Sequence, residues 1–174
     1  SVQTIGSDAF TLTGSLSSGY DLVFPSTLTS IGSSAFWAAK INSVTFDAAN
    51  QVTNLQGSTF ANTSGFTSIT LPSNLVTIGN KAFQNSDLTS IIVPNSVTSI
   101  GISAFEASPL TSAVINNGTI GNTAFRNITT LTSLTLNSGV TSIGQQSFDN
   151  LGITTVTIPS TVTSMGNSAF ATNS

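Results

Sequence analysis

Apolar residues recur along the chain in a short pattern that is typical of a half-buried strand. An apolar residue is followed three and five positions later by two more, as in Leu88, Ile91 and Val93. The last two apolar positions flank one outward residue, which gives the two-residue period of a strand with one buried face. Pro94 follows directly, and proline has no N–H to continue a ladder. Each repeat is therefore predicted to contribute one short β-strand.

A second pattern, Ile-Gly-x-x-Ala-Phe, closes each repeat in intact or degenerate form. The closing phenylalanines are separated by 20 to 26 residues and are Phe10, Phe36, Phe60, Phe83, Phe105, Phe125, Phe148 and Phe170. A period of this length indicates a solenoid whose coils pack on their neighbours. The phenylalanines are predicted to form one buried stack. The motif glycine is expected either to adopt a positive φ or to allow a close approach between coils.

The chain as a whole is predicted to be a leucine-rich-repeat type of superhelix that is mainly β. We expect a parallel β-sheet on one face, short turns or 3₁₀ segments on the other, and little α-helix. Residues 1–174 are predicted to form a single solenoid of about eight coils and to be a segment of a longer repeat array. The lengthened segment 47–57 and the Ser/Gly-rich insertion 11–19 should bulge from the edge, and the shortened repeat 116–125 should introduce a kink.

Composition removes several classes of function. Only 5% of the 174 residues are charged, against 39% hydrophobic, and solubility depends on 29 Ser, 28 Thr and 16 Asn. Three basic residues cannot supply the positive surface that nucleic-acid binding requires. Without Cys or His, disulfides, structural zinc sites and Ser-His or Cys-His catalysis are excluded. No apolar stretch is long enough to be inserted in a membrane.

The segment from Leu88 to Phe105 reads LTSIIVPNSVTSIGISAF. It resembles the leucine-rich repeats of the BspA-like, or Treponema pallidum, type, which occur in surface proteins of bacteria and some parasitic protists. The resemblance extends over essentially the whole chain. It implies an extracellular or cell-surface protein whose concave β-surface binds protein or matrix in adhesion, without a transferable catalytic motif. Repeats of this type often carry a Cys three residues after the Phe; this chain has none, so no redox or metal role is carried over.

The strand residue between the two buried ones should face outward and form a column on the sheet. With two aromatic residues nearby, the candidate binding face consists of Thr45, Thr70, Ile92, Val114, Thr135, Thr157, Trp37 and Tyr20. The β-branched column has a second explanation, because such residues suit a pleated surface whether or not anything binds there. An exposed apolar centre at Ile92 and Val114 favours a contact surface. Both explanations remain open at this point.

Another column, directly after each closing phenylalanine, contains charged residues in consecutive coils. Stacking should place Arg126 between Glu106 and Asp149 in an exposed ion-pair ladder that contributes about 0 to 1 kcal/mol per pair. Trp37 occupies the same column. It either packs on the 11–19 insertion or is an exposed aromatic contact, and Tyr20 could join it.

The sequence therefore predicts a protein that is not an enzyme and has no catalytic residues, cofactor or metal. The preferred hypothesis is a surface-displayed adhesion module that binds a protein, an extracellular-matrix component or a glycan. The alternative is a structural spacer, or a subunit that assembles end to end in a filament or surface layer through uncapped ends. An ice- or mineral-binding face is a weaker third hypothesis. Ile92 and Val114 interrupt the threonines of the outward column, and the variable length of the coils would prevent a match to a regular lattice.

Overall fold

A computed structural model describes residues 2–12 and 18–173 of the chain. The expected bulge of the first insertion falls largely on residues 13–17, outside the described part. The described residues contain no helix, and their strands are β1 Thr4–Ile5, β2 Tyr20–Phe24, β3 Ser30–Ile31, β4 Ile41–Phe46, β5 Asn54–Leu55, β6 Thr77–Ile78, β7 Ser90–Val93, β8 Ser99–Ile100, β9 Ser112–Ile120, β10 Ser133–Ile143 and β11 Ser164–Met165.

These strands form two rows, and every pairing between them is parallel. The front row comprises β2, β4, β7 and the first parts of β9 and β10. The return row comprises the short strands β1, β3, β5, β6, β8 and β11 with the last parts of β9 and β10, which join in one unbroken order. The chain is therefore a parallel β-solenoid, as predicted. Seven turns separate the first and last closing phenylalanines.

The return row adds one feature to the prediction, because each of its strands precedes the expected turns around the closing phenylalanine. Ile78 pairs with Leu55 on one side and with Ile100 on the other. Each return strand is only two residues long in most coils, too short for a period-2 pattern to indicate it. The same polar–apolar pair recurs in register in each coil, so backbone groups that would otherwise lack partners join one ladder.

The closing phenylalanines form one continuous stack through the interior, which confirms the prediction. Neighbouring ring centroids are 4.8 to 5.5 Å apart, and the rings are within 17° of parallel. The inner six rings are fully buried, whereas Phe10 at the first coil is 40% exposed. This stack fixes the spacing of the coils on the inside of the turns.

Of the two explanations for the motif glycines, the structure supports close approach. A Cβ on Gly144 would lie 2.5 Å from the carbonyl carbon of Gly121 in the preceding coil, closer than two carbons can pack. The positive φ values fall elsewhere, two and six residues after the glycine. In the second coil they occur at Ser34 (54°) and Ala38 (55°), where the turn around the phenylalanine requires left-handed backbone.

The two irregular coils are accommodated in different ways. In the lengthened segment, Asn50 is 4% exposed, and its Nδ2 donates to the carbonyl oxygen of Pro25 at 3.0 Å while its Oδ1 accepts from the N–H of Val52 at 2.9 Å. The residues directly before and after it are exposed. The shortened repeat is absorbed as register shifts in the β9–β10 pairing, between Leu136 and Gly139 and again before Ser142.

Candidate binding face

Side chains of the front row alternate between the core and the outside. In β7, Ile91 and Val93 are buried, whereas Ser90 is exposed and Ile92 is 65% exposed. The buried positions contact the phenylalanine stack and the return row. The outward positions create two columns on the front surface, one of hydroxyl residues and one of β-branched residues.

The β-branched column places the sequence-predicted residues at matching register positions. Thr45 lies opposite Val23, and Val114 lies between Ile92 on one side and Thr135 on the other. Val114 is half-buried, and the remaining members are exposed: Thr45, Thr70, Ile92, Thr135 and Thr157. Thr70 and Thr157 belong to segments that the structure does not assign to strands.

The apolar part of this column lies at two places. Ile92 and Val114 are directly opposite each other, so they form one apolar patch in the middle of the row. Val23, which was not among the selected residues, is 71% exposed in β2, at the first end of the front row. Its signal was present in the sequence, because it occupies the same outward strand position as Thr45.

The hydroxyl column runs parallel to it, two residues earlier in each strand. Ser90, Ser112 and Ser133 are in register, and Ser43 donates its hydroxyl to the Asp21 carboxylate in the adjacent strand. The side chains here are short, so a partner can approach the sheet backbone closely. The front surface is thus smooth, neutral over most of its length, and apolar at its centre.

Trp37 and Tyr20 lie apart from the β-branched column. Trp37 is half-buried in the turn after Phe36, between β3 and β4, and its carbonyl oxygen accepts from the N–H of Leu12 at 2.9 Å. Tyr20 begins β2 and is half-buried, with its ring centroid 6.3 Å from that of Phe10. Whether Trp37 packs on the first insertion depends on residues outside the described part.

The charged column is only half formed. Arg126 Nε lies 3.8 Å from Asp149 Oδ2, which is an ion pair without a hydrogen bond. Glu106 instead accepts a hydrogen bond from Gln84 Nε2 at 3.0 Å. Within residues 2–12 and 18–173, Arg126 makes no second ion pair with Glu106. The predicted ladder is therefore wrong on its Glu106 side, where an amide in the previous coil is the closer partner.

One feature of the front row has no counterpart in the sequence prediction. Residues 66–71 fit the strand pattern, yet they pair with neither β4 nor β7. Shallow grooves of about 250 and 370 Å³ lie on either side of this segment, and Thr70 borders both. The last front segment, residues 153–158, is likewise unassigned to a strand.

Acidic residues are dispersed among the coils. Over the described ranges, no group of three or more Asp or Glu side chains comes close enough to hold a metal ion, and no helix has the length and apolarity needed to cross a membrane. What the front surface offers is hydroxyls, an apolar patch and backbone edges. Groups of this kind suit recognition by shape and hydrogen bonding.

The family model for the BspA type leucine rich repeat region matches residues 1–112 and 99–174, in six copies. Together the two matches extend over the whole chain. The chain belongs to the BspA-type leucine-rich repeat family. This repeat fold is a protein-interaction module. A search of curated protein sequences found no match.

Solved bacterial structures share the fold. A leucine-rich repeat protein from Bacteroides ovatus is 23% identical with a TM-score of 0.67 over 95% of this chain, and the Treponema pallidum leucine-rich repeat protein TpLRR is 21% identical with a TM-score of 0.71 over 86%. The pneumococcal vaccine antigen PcpA is 17% identical with a TM-score of 0.53 over 95%. This chain spans about half of the Bacteroides protein, 70% of TpLRR and 64% of PcpA.

Proposed function

We propose that this BspA-type solenoid is a non-catalytic adhesion module, displayed at the cell surface, that binds a protein partner such as an extracellular-matrix component through its front row. The observation that carries the proposal is the outward apolar patch of Ile92 and Val114 on a smooth parallel sheet. Ile92 is 65% exposed although its strand is fully paired with β9. An exposed apolar patch on a regular surface is typical of a contact site.

The location at the surface rests on resemblance and on one solved neighbour. PcpA is described as a vaccine antigen, and an antigen that is useful in a vaccine is accessible from outside the cell. The low charge and high hydroxyl content of this chain also suit a surface that meets other proteins without strong electrostatic selection. A glycan partner is less favoured, because Trp37 and Tyr20 are half-buried and lie apart from the β-branched column.

The row can be tested with a matched pair of double variants. Ile92→Lys with Val114→Lys places two charges in the patch, and Val76→Lys with Ile102→Lys places two charges at exposed apolar sites of the return side, which are 38% and 49% exposed. Binding to a panel of purified extracellular-matrix proteins is measured by surface plasmon resonance. Wild-type protein should bind at least one of them, and the row variant should lose about tenfold or more in affinity, because central apolar contacts dominate interfaces. The return-side variant should retain its affinity.

Stability is the control for this experiment. Both double variants should unfold within about 1 kcal/mol of wild type, since the changed side chains are exposed or half-exposed. Equal loss of binding in both variants, or no wild-type binding to any matrix protein, would contradict the proposal.

End-to-end self-association is a second candidate, and one observation favours it. Apolar side chains are exposed at both ends of the described solenoid, with Phe10 40% exposed in the first coil and Met165 49% exposed in the last. A second copy of the chain could cover them by continuing the stack. Light scattering over a wide concentration range tests this candidate: mass should increase with concentration, and a constant monomer mass would remove it.

A further inference from the structure

The front row is divided in two by the segment of residues 66–71. β4 pairs with β2, and β7 pairs with β9, but neither pairs with this segment. The return strands of the same coils remain closed, because Thr77 pairs with Asn54 on one side and with Ser99 on the other. The opening is therefore confined to the front surface and does not separate the coils.

The opening leaves backbone groups without partners. Among the described residues, the peptide groups of residues 68–71 make no hydrogen bond to backbone or side chain. The segment is held just before them: the carbonyl oxygen of Ser64 accepts from the N–H of Ile41 at 2.8 Å, and that of Thr67 accepts from the N–H of Thr89 at 2.9 Å. Four successive residues of the front row thus have peptide donors and acceptors without hydrogen-bond partners.

The wider groove beside this segment has the chemistry of a strand-binding site. Its volume is about 370 Å³, and its walls are contributed by residues 68–71 and by the start of β7. Hydroxyls of Ser68, Thr70 and Ser90 line it together with the apolar side chains of Leu71 and Ile92, and every lining residue is neutral. Ile92 also belongs to the apolar patch, so the groove opens onto the proposed contact surface.

We infer that this groove is a docking site for an extended, uncharged polypeptide segment of a partner protein. Strand-type recognition uses main-chain hydrogen bonds for affinity and alternate side-chain positions for specificity. In this groove, the free peptide groups of residues 68–71 supply the main-chain hydrogen bonds. The apolar surfaces of Leu71 and Ile92 contact the alternate side chains of the partner. Its neutral lining would leave a charged side chain desolvated without a counter-charge. The inference rests on the proposed function and specifies where on the front row the partner lies.

A glycan fits this groove less well. Sugar rings are recognised by aromatic faces and by planar polar side chains, and none of these lines the groove. Trp37 and Tyr20 belong to the first two coils, away from residues 66–71. Free peptide groups beside hydroxyl and aliphatic side chains match a polypeptide backbone better.

The first experiment measures backbone hydrogen exchange in the free protein, resolved by residue. The amides of residues 68–71 should exchange about a hundredfold or more faster than the amides of Ala113 and Ile115, which are enclosed between two paired strands. Equal protection of the two sets would show that the front row is closed and would overturn the inference. The proposed function would not be affected by that result.

The second experiment uses seven-residue peptides selected on the immobilised protein from a displayed random library. Selected peptides should be uncharged and should slow the exchange of amides 68–71. Ser68→Tyr, which covers the groove, should reduce peptide affinity about tenfold or more. Ser133→Tyr, at the matching position of strand β10, which is paired with β9, should leave it unchanged. Both serines are exposed, so neither change should affect folding.

The outcomes separate this inference from the proposed function. A selection without binders, peptides that protect other amides, or protection by maltohexaose or chitohexaose in place of peptides would each overturn the docking site. If the Ile92 and Val114 double variant loses matrix-protein binding while Ser68→Tyr retains it, the row is the contact surface and the groove is not. If both variants lose binding and Ser133→Tyr does not, the partner occupies the groove as inferred.

Discussion

Replacing a ring in the middle of the phenylalanine stack should remove the strongest single contribution to stability. Phe105 is fully buried, and its ring centroid lies 5.2 Å from that of Phe83 and 4.8 Å from that of Phe125. Phe-to-Ala changes in cores cost about 3 to 5 kcal/mol through lost transfer energy and the cavity that remains. Because both neighbouring rings also lose a stacked partner, we expect Phe105→Ala to cost about 4 to 5 kcal/mol.

The matched control is the ring at the first coil. Phe10 is 40% exposed, so roughly three fifths of the transfer free energy of a fully buried Phe, about 1 to 2 kcal/mol, should be lost in Phe10→Ala. Both variants are measured by urea unfolding, followed by circular dichroism and by Trp37 fluorescence. Coincident transitions show whether unfolding is two-state, which repeat proteins do not always satisfy.

The reasoning depends on the difference between the two positions. If Phe105→Ala unfolds within about 1 kcal/mol of wild type, the interior relaxes around the missing ring and the stack is not the main source of stability. If Phe10→Ala and Phe105→Ala cost the same, burial does not determine the cost. Either result would refute the account of the core.

Three further predictions concern the close approach of the coils, a buried amide and the role of charge in binding. Gly144→Ala should lower the free energy of unfolding by about 1 to 3 kcal/mol or more, because the added Cβ would lie 2.5 Å from a backbone carbon of the preceding coil. Gly6→Ala should change it little, because a Cβ there would have nothing within 4 Å. Equal effects of the two changes in thermal melts would contradict close approach. In urea unfolding, Asn50→Ala should lower the free energy of unfolding by about 2 to 3 kcal/mol, because the carbonyl oxygen of Pro25 and the N–H of Val52 lose their hydrogen bonds. Asn137 is exposed, so Asn137→Ala should lower it by less than about 0.5 kcal/mol. The association rate with a matrix protein should change less than about twofold between low and high salt, and a steep decrease would show that charge directs binding.

The fold could be predicted because its signals are local and repeated. Phe83 and Phe105 are each preceded by the same Ile-Gly-x-x-Ala pattern, so one period fixes both the stack and the direction of the strand residues. The same logic places Ile92 outward, since it lies between two positions whose equivalents are apolar throughout. A degenerate repeat can be aligned with the intact ones, so its strand and core positions can still be assigned. This makes a solenoid easier to predict than a fold built from unrelated segments.

The features that could not be predicted depend on contacts between coils. The segment FTSITLP at residues 66–72 fits the repeat as well as LTSIIVP at residues 88–94, yet only the second forms a paired strand. The repeat pattern therefore does not predict which front segments pair with their neighbours. Likewise, Glu106 accepts a hydrogen bond from Gln84, whereas Arg126 pairs with Asp149. Which of the stacked side chains pair depends on their reach and orientation, which the sequence pattern does not contain.

The small number of charges has a consequence that links stability to recognition. Coils are joined by uncharged hydrogen bonds, for example from Asn85 Nδ2 to Asn62 Oδ1 at 2.9 Å and from Asn150 Nδ2 to Asn127 Oδ1 at 3.1 Å. Such bonds are directional and insensitive to salt, so they hold neighbouring coils in register without creating a charged surface. In the proposed function, the front surface then discriminates between partners by apolar contact and by the alignment of backbone groups. The front ladder is interrupted at residues 66–71, and in the proposed docking a partner strand that pairs with the free peptide groups there gains hydrogen bonds that the solenoid does not make for itself.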